Sequence, residues 1–265
     1  MSERIGESVW PLMAKETINR TKLADIFEQG GFKAAGEYFL DITNTKINYR
    51  SEKSADFAEQ RQKLQTEAGL IICNHPGYVE IPAILQALDR RDVKIMINRH
   101  IYEEFCQQFG EQYFVPNAQT PRELVEIMNQ AISHIKNGGA FLLFPTGGEK
   151  LDVYNGKDKP KFMGGFRNIL SRLSADNMIY SFYVDPEQSY QMRRSKVPTF
   201  AGIASEVISK GNFNINQSRD QQIIKVDERY TQADFWQSLL RQTKDKHEQD
   251  KLLASAYFNQ IEEIE

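Results

Sequence analysis

The sequence is poor in cysteine, has no long apolar run and carries almost no net charge, and each shortage removes a class of function. Its two cysteines, Cys73 and Cys106, belong to no CxxC or Cys/His array, so neither a disulfide framework nor a structural zinc site is suggested. Lys plus Arg number 33 against 36 Asp plus Glu, a formal net charge of −3. No global positive field therefore recruits nucleic acid or anionic lipid, and no nucleic-acid partner is expected. The longest apolar stretches, 69–73 and 140–144, run about five residues, whereas a membrane-spanning helix needs ~20. The first residues also lack the apolar segment of ~7–15 residues that a signal peptide requires, which makes a cytoplasmic location the default expectation.

What remains is a chain of 265 residues, 40% hydrophobic and 11% aromatic, able to build a sizeable core. Residues 1–67 read as a strongly polar N-terminal helical subdomain, with Leu23, Ile26, Phe27, Phe57 and Leu64 at helical spacings and no sheet evident. From residue 68 to 265, short apolar runs alternate with amphipathic segments: 70–73, 93–97, 113–115, 141–144, 179–184 and 223–226. That alternation predicts an α/β layer fold, a mixed, largely parallel sheet flanked by helices. Buried in such a run, Cys73 is expected to be inert.

The best-marked helix spans 121–137: Thr120 and Glu123 form a capping box, Pro121 takes the first helical position, and Gly138-Gly139 end it. Leu124, Ile127, Met128, Ala131 and Ile135 make its apolar stripe, and His134 beside them reads as structural. Two further amphipathic segments, 233–242 and one around Leu252, Leu253, Ala256 and Tyr257, are expected to pack on the core, with a partner or membrane surface as the alternative.

Two strand-ending turns carry chemistry. The first is Asn74-His75-Pro76-Gly77-Tyr78-Val79-Glu80, a histidine at a strand's end with a carboxylate five residues on. With four histidines and 36 acids, that spacing arises by chance in roughly half of such chains, so context must raise it. Pro76-Gly77 supplies the context, because a turn brings together side chains that a regular helix would point apart. In such a pair Glu80 accepts a hydrogen bond from one imidazole nitrogen and leaves the other as a general base. The second turn is Phe144-Pro145-Thr146-Gly147-Gly148-Glu149-Lys150, whose backbone amides can face an anion or a developing oxyanion, with charge added by Lys150. Lys157, Lys159, Lys161 and Arg167 follow closely.

These segments, over 68–186, resemble the glycerolipid acyltransferase family, best known for its 1-acylglycerol-3-phosphate acyltransferases. Residues 74–80 resemble the family's Asn-His-x4-Asp block, and 144–150 its Phe-Pro-Glu-Gly-Thr-Arg-Ser block. Residues 161–170 resemble the Lys-x-Gly-x-x-x-x-Ala helix that follows, and 179–186 a strand ending in Pro-Val. The resemblance implies acyl transfer from a thioester of coenzyme A or acyl carrier protein to a hydroxyl of a glycerol-phosphate or lysophospholipid-like acceptor, without metal or other cofactor. It makes His75 the base and Glu80 its orienting carboxylate, with Asn74, Pro145, Thr146, Gly147, Gly148, Lys150, Lys161 and Arg167 around the substrates. The chain departs from the pattern in Glu80 for Asp, Thr146 for Glu, Glu149 for Arg and Lys150 for Ser. A reversed charge beside a phosphate is unfavourable, so Lys150 or Arg167 is expected to substitute. The family's phosphate-contacting arginine between the two blocks finds only a loose counterpart near 115–117 or at Arg122.

Two other readings stay open: a non-catalytic acyl- or lipid-binding descendant of the same fold, and a metal-dependent hydrolase using His100 and Glu103 with His75 and Glu80. A lysolipid acceptor would be met in soluble form or at the inner face of a membrane, through a peripheral amphipathic element near Trp10 or Trp236.

Overall fold

Seven strands form one sheet in the computed structural model, which describes residues 20–42, 45–50, 62–74, 80–99, 102–103, 109, 112–146, 162–184, 219–225 and 232–262. The strands are β1 (Thr45–Arg50), β2 (Gly69–Cys73), β3 (Val93–Ile97), β4 (Phe114–Pro116), β5 (Ala140–Leu143), β6 (Met178–Val184) and β7 (Arg219–Lys225), in the spatial order β1-β7-β6-β2-β5-β3-β4. From β6 to β4 every neighbouring pair is parallel. β7 runs antiparallel to β6, and β1 pairs parallel with β7. The sheet is thus mixed and largely parallel, as the alternation of short apolar runs predicts.

Strand periodicity sorts the side chains into two cores. Leu70, Ile72, Phe141, Leu143 and Ile179 face one layer, formed by α3 (Pro121–Lys136), α4 (Gly164–Leu170), α5 (Ala233–Arg241) and α6 (Lys246–Glu262). Ile71, Cys73, Leu142, Tyr180 and Phe182 face the other, with α1 (Arg20–Ile42) and α2 (Glu80–Leu88). Both faces are covered, which is why the central strands are continuous apolar runs rather than alternating ones. Each fully buried Leu, Ile or Phe there contributes about 1.5–3 kcal/mol.

The expectation of a purely helical region over 1–67 needs correction. Thr45–Arg50 is a strand, paired from Thr45↔Arg219 to Arg50↔Ile224, and α1 places Phe32 in the second core against Tyr113 and Phe114. The run Thr-Lys-Ile-Asn-Tyr-Arg is short and polar and lacks the apolar signal of the central strands, whereas its partner β7 overlaps the apolar run read at 223–226 through Ile223 and Ile224.

α3 matches its sequence signals, with Thr120 as N-cap accepting from Glu123 N–H at 3.2 Å. The reciprocal half of the box is displaced by one residue: Glu123 Oε2 accepts from Gln119 N–H at 2.9 Å. Past its end Gly138 adopts φ 96°, the left-handed region open to glycine. Trp236 on α5 is fully buried against Phe166. It belongs to the core and is unavailable as a membrane anchor, while Trp10 lies outside the described residues. Among the described residues no helix is long and apolar enough to cross a membrane.

Candidate functional site

The two motif-bearing turns leave adjacent strands. Ile72 of β2 stands opposite Leu143 of β5, so Asn74 emerges beside Phe144, Pro145 and Thr146, with parallel strands ~4.8 Å apart. The connections then part. The chain leaving β2 enters α2, whose Ile84, Leu85 and Leu88 pack in the second core. The chain leaving β5 returns as α4, whose Phe166, Ile169 and Leu170 pack in the first. Adjacent parallel strands whose exits go to opposite faces open a crevice at their carboxyl ends, the place where α/β sheets bind ligands.

Within that crevice Asn74 is fully buried and Pro145 is buried, while Thr146 is half-buried. Asn74 Oδ1 accepts from Cys73 Sγ at 3.5 Å, and its backbone N–H donates to the Tyr257 hydroxyl at 2.8 Å. That hydroxyl in turn donates to the Phe182 carbonyl of β6. Cys73 is buried in the second core, as expected. Glu80 is the first residue of α2, where the helix N-terminus favours a carboxylate. His75, Gly147, Gly148, Lys150 and Lys161 lie outside the described residues, as do Trp10, His100 and the side chain of Glu80. The segment after β5 has a closed neck, since Met163 N–H donates to the Pro145 carbonyl at 2.7 Å.

The cations near the crevice divide. Arg167 on α4 donates from Nε to Asp250 Oδ1 of α6 at 2.8 Å, with the two side chains 15% and 10% exposed. Its charge is neutralised inside the helical layer. Arg122 lies on the solvent side of α3, paired with Glu126 and 90% exposed. Sequence reasoning passed over Arg99, which follows β3 at the same sheet edge as the two turns. Its Nη2 reaches Glu123 at 2.7 Å and the Asn117 carbonyl at 3.2 Å, while Nε is buried with no acceptor among the described residues. A donor left over at a strand's carboxyl end is a signal that only the fold makes visible.

Tyr257 was also passed over, counted only among core-packing positions, because nothing in its helical spacing shows that its hydroxyl reaches a strand end. His134 is structural as read: Nε2 lies 2.7 Å from the Asp92 carbonyl, at the opposite edge of the sheet. Among the described residues no cluster of His, Cys, Asp and Glu could hold a metal ion.

No protein-family model matches the sequence, and no curated protein matches it significantly. Among solved structures, the fold is similar to the 1-acyl-sn-glycerophosphate (LPA) acyltransferase PlsC from Thermotoga maritima, with a TM-score of 0.52 and 13% sequence identity. The match covers 97% of this chain and 88% of that one. The chain therefore has the α/β fold of that acyltransferase.

Proposed function

We propose that the protein is an acyltransferase that moves an acyl group from a coenzyme A or acyl carrier protein thioester to a hydroxyl of a glycerol-phosphate or lysophospholipid-like acceptor. The observation that supports this reading is that β2 and β5 are adjacent parallel strands, so that Asn74 and Phe144-Pro145-Thr146, which follow them, lie side by side at their carboxyl ends, where α/β folds bind ligands. These residues belong to two blocks separated by some 65 residues of sequence, each with a counterpart in one enzyme family. The fold shared with a 1-acyl-sn-glycerophosphate acyltransferase supports it independently.

In this mechanism His75 takes the proton from the acceptor hydroxyl, and Glu80 fixes its tautomer and stabilises the imidazolium. The acceptor oxygen attacks the thioester carbonyl, amides at Gly147 and Gly148 hold the developing oxyanion, and collapse forms the ester and expels the thiolate, which takes the proton from His75. No covalent enzyme intermediate is needed. Lys150 and Lys161 are the cations for an anionic acceptor, since Arg167 is engaged by Asp250. Arg99, with its unused Nε, suits the arginine expected between the two blocks better than the solvent-facing Arg122.

The test is thiol release from medium- and long-chain acyl-coenzyme A and acyl carrier protein thioesters, with glycerol 3-phosphate, lysophosphatidate and non-phosphorylated alcohols as acceptors. Release that depends on an acceptor is the expected result. Acyl-chain binding without release from any donor would instead favour the non-catalytic, lipid-binding reading.

A further inference from the structure

Tyr257 lies far along the chain from His75, yet its hydroxyl is spliced into the β2–β6 ladder. Backbone N–H groups alternate sides along a strand. Gly69 N–H donates to the Gly139 carbonyl, on the β5 side, so by that alternation the N–H of Asn74 faces β6. With Cys73 opposite Phe182, the last rung of the parallel ladder joins Asn74 N–H and the Phe182 carbonyl. The phenol bonds to both ends of that rung, accepting from Asn74 N–H at 2.8 Å and donating to the Phe182 carbonyl.

The phenol thus adds a side-chain tie between β2 and β6 at Asn74, the residue before His75. The splice is sealed from water, because Tyr257 and Asn74 are both 0% exposed. The ring is braced by Phe258, with centroids 4.9 Å apart, and by Phe162 at 5.5 Å. Phe162 directly precedes Met163, which closes the neck of the second turn. One side chain therefore touches the supports of both turns.

We infer that Tyr257 is a positioning residue for the His75 base, setting where the turn leaves the sheet; this rests on the acyl-transfer reading and deepens it. Without the hydroxyl, two hydrogen bonds at the exit of β2 are lost in a site sealed from water, where a shift of the chain by an ångström is the scale of misplacement that costs an enzyme rate.

The experiment compares the full-length wild type with Tyr257→Phe, with Leu253→Val as a buried packing control on the same helix, and with His75→Ala. The four histidines are titrated by NMR, His75 being assigned by its loss in His75→Ala, and steady-state turnover is measured with palmitoyl-coenzyme A and lysophosphatidate. In Tyr257→Phe the His75 titration midpoint should move by roughly half a pH unit or more. Its kcat should fall about tenfold or further with KM nearly unchanged, while Leu253→Val alters neither. An unchanged His75 titration in folded Tyr257→Phe overturns the inference, whatever the substrate. A fully active Tyr257→Phe beside an inactive His75→Ala overturns it alone; wild-type turnover in His75→Ala overturns the base assignment and the inference with it.

Discussion

Arg90 ties together the edge of the sheet opposite the crevice. Its side chain is 4% exposed and donates to the carbonyls of Leu64 at 2.9 Å, Glu67 at 2.6 Å and Gly138 at 3.3 Å, and to both carboxylate oxygens of Asp92. Only arginine offers that many donors in one plane. Arg90→Met should therefore leave several acceptors unpaired and lower stability in urea by about 3 kcal/mol or more; a loss under about 0.5 kcal/mol would contradict this. The hydrogen bonds from Arg90, and then its positive charge, hold the Asp92 carboxyl below its ordinary value. The unfolded chain then takes up a proton at Asp92 more readily than the folded one, so stability present above the carboxylate range is lost as pH falls through it. Urea midpoints measured between about pH 6 and pH 3 should fall less steeply in Asp92→Asn than in wild type, and parallel curves would remove Asp92 from the acid response. In the same cluster, burial and then the neighbouring Glu67 raise the Tyr180 hydroxyl, which stays protonated and donates to Glu67 at 3.4 Å.

At the scale of elements, the end of α3 shows what sequence reveals and what it hides. Thr120, Pro121 and the Gly138-Gly139 pair mark the helix because capping is local chemistry, written within a few residues. The reason for the second glycine is not local. A Cβ at Gly139 would lie 2.3 Å from His134 Nε2, the atom that meets the Asp92 carbonyl. Gly139→Ala should cost about 1–3 kcal/mol by displacing that ring. Because both changes act on the same ring, His134→Ala and Gly139→Ala should be non-additive, the double variant losing clearly less than the sum of the two singles. Strict additivity in denaturant unfolding would disprove the clash. α6 teaches the same lesson. Its spacing suggested Leu252, Leu253, Ala256 and Tyr257 as the packed stripe; Leu253 and Tyr257 are buried and Ala256 packs against the core, while Ala254 and Phe258 are buried beside them unread. Tyr257 is further set apart by a hydroxyl whose partners, Asn74 just past β2 and Phe182 on β6, are far from it in sequence.

At the scale of the molecule, the central strands were legible because full burial on both faces demands unbroken apolar runs. β1 was not, since its residues are polar and its partner lies some 170 positions away. The two turns were readable as motifs, but their adjacency was not: it follows from β5 inserting between β2 and β3 while its exit crosses to the opposite face. The charge arrangement was the least readable part, as Arg167 is drawn away by Asp250 and Arg99 comes forward through the placement of β3. In the proposed mechanism a base at the carboxyl end of β2 drives acyl transfer to the acceptor hydroxyl. The most direct measurement is ester formation from a labelled acyl-coenzyme A and its best acceptor by wild type and by His75→Ala, with both variants shown to be folded. A fall in kcat on the order of 10² or more is predicted, the scale of a lost general base; ester formation at the wild-type rate would contradict the account.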